Sequence, residues 1–269
     1  FNSKFNLDNK KIDNLPIGLF GDFYSHELSL ILMNKNDFKN LKIIFKKSNL
    51  KVKKILIKSF VEGVNTSKNH KNIETFFQVK IKSNSSKIFY FENNALKFQQ
   101  DFNFGTNIII KDISKVISLE EDIVKIILNK NDSLEMTKDE LVDKELFKEN
   151  NYRKIKKKLI YEIALARIQE IVDIIIFKNI NLNHYNTIKN VIFLEIDTNS
   201  RFKSLDKIFK SILSKNGNYE LNFIEDASID TMLNTADQLV HYGWKKEAIP
   251  VSETKKTLIA RFFNTIFGQ

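Results

Sequence analysis

Between Thr75 and Phe102 the chain passes three times through a run rich in aromatic and β-branched residues: TFFQVKI (75–81), KIFYFEN (87–93) and ALKFQQDF (95–102). The breaks between them, KSNSS and ENN, are polar and too short for a helical crossover. Strands joined by such turns have to pair antiparallel, so the stretch predicts a three-stranded meander. Downstream the period changes. Apolar residues recur at helical spacing over 107–118 and 120–129. The longest helical pattern runs from about Tyr152 to Lys178, with Ile155, Leu159, Ile163, Ala166, Ile171, Ile174 and Ile175 on its expected buried face. VIFLEI (191–196) reads as a buried strand, 202–213 as a helix, 219–224 as a strand and 229–243 as a helix stopped by Gly243. A meander leading into alternating helices and strands is the pattern of an α/β lobe. Residues 130–150 are polar, charged and weakly periodic, as expected of a surface excursion.

Upstream, LPIGLFGDFYSHELSLIL (15–32) reads as a Pro/Gly loop feeding a strand in which Tyr24, His26, Leu28, Leu30 and Leu32 share one side. A helix is predicted over Asp37–Lys47, from Phe38, Leu41, Ile44 and Phe45, with Asn36 as its N-cap. LKVKKILI (50–57) reads as a second strand and 58–65 as a short helix, giving a β-α-β unit. The chain opens at Phe1, without an initiator Met and inside a strand-and-loop pattern, so the start of a parent protein is expected upstream.

Hydrophobic residues make up 42% of the chain, 23 of them Phe, which is ample for a core. With no cysteine, thiolate catalysis and Cys-ligated zinc cannot operate here. The four histidines, His26, His70, His184 and His241, have no metal-ligand spacing, and no Ser/His/Asp elbow or Walker loop occurs, so neither a metal nor a catalytic residue is expected. Only seven glycines in 269 residues leave few places for a backbone to cradle a phosphate. The formal charge of +10 attracts polyanions in general. It resides mainly in dispersed lysines, so nucleic acid is not an expected partner. No apolar run approaches the ~18–20 residues that cross a bilayer and no signal peptide opens the chain, so the expectation is a soluble or peripheral protein.

The last residues point to a surface. In TLIARFFNTIFGQ (257–269), Leu258, Ile259, Phe262, Phe263, Ile266 and Phe267 fall on one half of a helix, while Thr257, Arg261, Asn264 and Gly268 fall on the other. Lys255 and Lys256 precede it, where long side chains can reach lipid phosphates. The alternative is a terminal helix packed on the protein's own core or on a partner. A polar linker containing Pro250, the doubled Phe and the basic flank favour an anionic membrane surface.

Several motifs recur in order along the chain: LPIGLFG (15–21) resembles P-I/V-G-L-x-G, NLKVKKI (49–55) resembles G-L-K-V-x-x-I/L, and ENNALKF (92–98) resembles x-G-G-A-L-x-x. FGTNIIIKDIS (104–114) is similar to G-x-x-I/V-x-x-D-I/L through Gly105, Ile109, Asp112 and Ile113. Residues 153–171 are similar to R-x-L-x-x-x-L-x-x-I/V-x-x-R-x-x-E-I/L through Arg153, Leu159, Ile163, Arg167 and Glu170, and HYGW (241–244) resembles a closing Tyr-Gly turn. Taken in order, these motifs resemble the FtsA family of actin-like bacterial division proteins. The resemblance implies an actin-like (ribonuclease H-like) α/β fold with most of the first lobe missing. Residues 1–57 would then be part of the family's extra β-α-β subdomain, 58–72 a return segment, 73–244 the second lobe, 245–256 a linker and 257–269 an amphipathic membrane-targeting helix.

It further implies a non-enzymatic adaptor on the cytoplasmic side of the bacterial inner membrane at the division site. Such an adaptor tethers the ring of the tubulin-like protein FtsZ, helps assemble the septal machinery, self-associates into polymers and meets other division proteins. Arg153, Arg167 and Glu170 would receive the FtsZ C-terminal peptide; read alone, Arg167 and Glu170 are an i, i+3 ion pair. ATP with magnesium would be the cofactor, leaving Gly105 and Asp112 as candidate contacts, although Asp112 reads equally well as a helix-cap or turn residue. Two departures oppose it: where the family has D-I-G-G-G-T-T-D, residues 79–88 read VKIKSNSSKI, and where it has V-L-T-G-G-x-x-x-L/I-x-G, residues 193–206 read FLEIDTNSRFKSLD. The alternative function is an actin-family ATP-binding protein or weak ATPase with another peripheral scaffolding role.

Overall fold

With so few glycines, the tight turns fall to Asn and Asp, which tolerate the left-handed region through their short polar side chains. In the computed structural model, which describes residues 2–12, 16–52, 54–130, 140–147, 152–185, 190–197, 203–215 and 219–244, two hairpins turn on consecutive left-handed residues. Asp8 (φ 49°) and Asn9 (φ 63°) join β1 (Asn2–Leu7) to β2 (Lys10–Ile12), and Asn93 (φ 50°) and Asn94 (φ 63°) join β5 (Ser86–Glu92) to β6 (Ala95–Phe102). Two successive positive φ angles give the turn twist that matches paired strands.

The Cα packing separates two compact units, one of Phe1–Asn65, Glu92–Lys97 and Asp230–Gln269, the other of Thr66–Phe91 and Phe98–Ile229. The first holds an antiparallel sheet of order β2-β1-β3, with β3 at Tyr24–Leu28. Phe5 is buried there and stacks on His26 at 4.6 Å between ring centres. Asp8 Oδ1 accepts from the Asp22 and Phe23 amides at 2.9 and 2.8 Å, which fixes the approach to β3. Helix α1 (Lys35–Lys47) is held by its ends: Asn34 caps it by accepting from the Asn36 amide at 2.8 Å. Asn49 (φ 56°) closes it, with the Leu50 amide returning to Phe45 O and the Asn49 amide to Lys46 O. The cap is therefore Asn34 rather than Asn36, because Asn34 has extended backbone and Asn36 already belongs to the helix.

The segment 50–57, expected as a strand, forms none at its described residues, and α1 follows an antiparallel sheet instead of joining two strands. Leu50 and Ile55 stay exposed, so its alternation of apolar residues finds no sheet edge to join. Helix α2 runs further than the short segment expected, Lys58–Asn69. The first unit also takes in α7 (Ile229–Tyr242) from Asp230 on. Gly243 ends that helix at φ 71°, its amide returning to Leu239 O at 3.1 Å.

The second unit is built on a five-stranded sheet of order β6-β5-β4-β7-β8, with β4 at Phe76–Ile81, β7 at Asn190–Ile196 and β8 at Tyr219–Ile224. The meander β4-β5-β6 stands as the turn lengths require, and β4, β7 and β8 are parallel. Helices α3 (Asn107–Ile117), α4 (Glu121–Lys130), α5 (Lys157–Val172) and α6 (Lys203–Lys215) share one core with Phe77, Val79, Ile81, Ile192, Leu194 and Ile196 of the sheet. The opposite face carries Phe76, Phe89, Phe91 and Phe193, with Phe76 stacked on Phe91 at 5.2 Å and set edge-on to Phe193 at 5.3 Å.

The long helix departs from its reading in three ways, the first being its start at Lys157 and not near Tyr152, since Lys156 is taken up by a bridge to Leu141. Its buried face is Ile160, Ala164, Ile168, Ile171 and Val172, whereas Leu159, Ala166 and, just beyond the helix, Ile174 point outward. Apolar residues occur on every side of this helix, so spacing alone does not select the face. It also ends in a π turn over Asp173–Phe177, where the Lys178 amide reaches back to Asp173 O at 2.7 Å.

Candidate functional site

In an open sheet with parallel strands, ligands bind in the crevice beyond the carboxyl ends of those strands. Here those ends are Lys80–Ile81, Glu195–Ile196 and the residues after Ile224. Lys80 and Glu195 are direct neighbours across β4 and β7. The Lys80 Nζ lies 2.8 Å from Glu195 Oε1 and 3.3 Å from Asp226 Oδ1. Both the Lys80 and the Glu195 side chains are only 6% exposed, whereas Asp226 is at the rim at 54%. Partial burial pushes the Asp226 carboxyl up, and the charge and hydrogen bond of Lys80 more than offset it, so the group is held below its ordinary range. No motif or spacing singles out these three residues, yet the sequence holds a signal: a lone Lys in TFFQVKI and a lone Glu in VIFLEI are opposite charges in two otherwise apolar strands.

Beside this crevice, the β4–β5 hairpin tip closes through the Lys82 amide donating to Ser85 O at 2.9 Å. The tip is stitched to the start of α3: the Thr106 amide donates to Lys82 O at 3.0 Å and the Asn107 amide to Ser83 O at 2.9 Å. The Asn107 side chain reaches Asn84 Oδ1 at 2.9 Å, and Ser86 Oγ donates to Phe104 O at 2.7 Å. Gly105 permits this approach, since a Cβ at that position would stand 1.9 Å from Lys82 O. The glycine thus serves a contact between two backbone segments.

Asp112, on α3, is bound by Arg167 Nε of α5, and Arg167 Nη1 holds Glu170 Oε2 at 2.6 Å. The structure therefore brings Asp112, Arg167 and Glu170 into one chain of ion pairs on the α3–α5 seam. Arg153 lies apart from it and donates through Nη2 to Ser118 O at 2.7 Å, at the end of α3. Since Arg153 meets the end of α3 and Arg167 its middle, α3 and α5 run antiparallel. The remaining site residues, Lys255, Lys256, Leu258, Ile259, Arg261, Phe262, Phe263, Ile266 and Phe267, lie outside the described residues. Among the described residues no group of three or more His, Cys, Asp or Glu side chains is placed to hold a metal, and no helix is long and apolar enough to cross a membrane.

No protein-family model matches the sequence, and no curated protein matches it. Solved structures do match. MreB5 of Spiroplasma citri bound to AMPPNP superposes with a TM-score of 0.50 at 13% identity, over 77% of this chain and 65% of that one. The fold is actin-like. The ethanolamine utilization protein EutJ of Carboxydothermus hydrogenoformans (TM-score 0.44, 11% identity, 78% of this chain and 62% of that one) and ParM of Bacillus thuringiensis with ATP (0.39, 14%, 63% and 48%) are further matches. The chain spans less than two thirds of the length of each of these three structures.

Those likenesses are of fold alone, and the AMPPNP bound to MreB5 poses a question for the residues here. The hairpin tip has no glycine, the Thr106 and Asn107 amides at the start of α3 are spent on its carbonyls and so do not face a phosphate, and the strand end beside it carries the buried Lys80. Asp112 is held by Arg167. These residues do not fit a magnesium-bound triphosphate.

Proposed function

We propose that this chain is a non-enzymatic membrane adaptor of bacterial cell division, similar to the FtsA family, holding FtsZ filaments to the cytoplasmic face of the inner membrane and helping to assemble the septal machinery. The observation that carries this reading is the half-apolar helical pattern of 257–269, set behind a polar linker downstream of an actin-like lobe. Six large apolar side chains contribute at most ~1.5–3 kcal/mol each on full burial. Each nearby cation adds about 1 kcal/mol on an anionic leaflet. That sum gives a reversible interfacial anchor, which self-association into polymers would strengthen by avidity.

On this reading, the face formed by α3 and α5 would receive the FtsZ C-terminal peptide. Arg153, Arg167 and Glu170 offer it charges of both signs, and the basic run Lys154, Lys156, Lys157 and Lys158 complements acidic residues. The alternative, an actin-family ATP-binding scaffold, draws support from the fold but not from the residues at the hairpin.

Co-sedimentation with vesicles rich in anionic lipid tests the reading. The intact chain should pellet in a salt-sensitive manner, and a chain ending at Thr257 should stay in solution. Equal pelleting would assign binding to the basic body, and no pelleting of either would remove the adaptor reading. An FtsZ-tail peptide should then titrate against the chain and weaken with Arg167→Ala.

A further inference from the structure

The position of Lys80 goes beyond the adaptor reading and does not depend on it. A lysine in a strand whose every side chain is buried carries a large desolvation cost unless its charge is met. Here it is met twice, by Glu195 across the parallel pair and by Asp226 from the loop after β8. The three elements that supply these groups end together at the crevice where an open parallel sheet receives a ligand. An ammonium between two carboxylates is also what a bound divalent cation would present to them, since such cations collect carboxylate oxygens. The hairpin carbonyls beside this strand end are already bonded to the start of α3.

We propose that Lys80 is a built-in counter-cation: its ammonium occupies the cation position at the carboxyl ends of β4, β7 and β8. The lobe is thereby neutralised and ordered without divalent metal or nucleotide. The arrangement makes an actin-like lobe constitutive, because its strand ends are fixed by a side chain that cannot dissociate.

Manganese binding followed by paramagnetic resonance and by thermal melting tests this on the full chain. The wild type should bind no Mn2+ at this crevice, and its midpoint should not move with millimolar Mn2+ or with ATP and Mg2+. Lys80→Ala leaves Glu195 and Asp226 converging on an emptied position. Its midpoint should fall by roughly 10 °C and recover by about 5 °C or more when Mn2+ is added. Adding Glu195→Gln to that variant should abolish the recovery. Lys80→Gln, which keeps more of the side-chain volume, should behave as Lys80→Ala does. If Lys80→Ala folds only when Mn2+ is present, that is the same rescue in a stronger form. Absence of a metal-dependent gain in both variants overturns the proposal. So does saturable Mn2+ or nucleotide binding by the wild type that Glu195→Gln removes. Vesicle binding through 257–269 reads neither outcome, so the two proposals fail separately.

Discussion

Strand β4 and helix α1 are opposite solutions to the same problem. Every side chain of β4 is buried, and none of α1 is. The strand is kept by what covers it: a helical core on one face and an aromatic layer on the other. The helix is kept by its ends, through Asn34 at the start, the Asn49 closure at the finish, Asp37 in the first turn and Lys46 and Lys47 in the last. Regular structure in one chain can therefore be secured by burial or maintained locally, and the two should respond differently to substitution.

The largest effect belongs to the covered strands. Phe193→Ala removes a side chain with no exposed surface that meets both Phe76 and His70, and should cost about 3–5 kcal/mol in urea unfolding. Gly105→Ala forces a Cβ against Lys82 O and should cost about 1–3 kcal/mol, with the loss seen first in amide exchange at Thr106 and Asn107.

Asn34→Ala should cost about 1 kcal/mol, read as faster amide exchange within α1 and not as a lower global midpoint; a global loss of the same size would break the contrast. Because the Asp226 carboxyl is held low in the folded state, its stabilising share is present above the unfolded value of about 3.9 and is lost as pH falls through the folded one. The gap in melting midpoint between the wild type and Asp226→Asn should therefore close as the pH drops below about 4. Smallest of all, Leu32→Ser on the exposed stretch before α1 should stay within about 0.5 kcal/mol.

Legibility in the sequence divides along the same contrast. The meander is readable almost to the residue, because short turns between apolar runs leave one pairing. The α6–β8–α7 succession is readable for a similar reason. On α5, where Leu159, Ile163 and Leu165 extend the apolar surface beyond the buried stripe, periodicity selects a neighbouring face. The strand expected at 50–57 shows the limit of alternation: it marks a segment able to pair and says nothing of a free edge. At the candidate site, Arg167 and Glu170 are visible as neighbours on one helix. Their third partner, Asp112, lies 55 residues away, and a contact at that distance leaves no local trace. The Lys80 cluster joins residues as far as 146 apart, and only the oddity of single charges inside apolar strands announces it.

The π turn at Asp173–Phe177 holds one residue more than an α-helix needs for the same path. It is therefore a place where chain length can change without breaking the helix. Deleting a single residue there would restore α geometry over the same path and leave the residues beyond it in place. Removal of the exposed Ile174 should therefore leave Ile175 and Ile176 in the core and keep the hydrogen bond from Asn179 to Gln100 aligned.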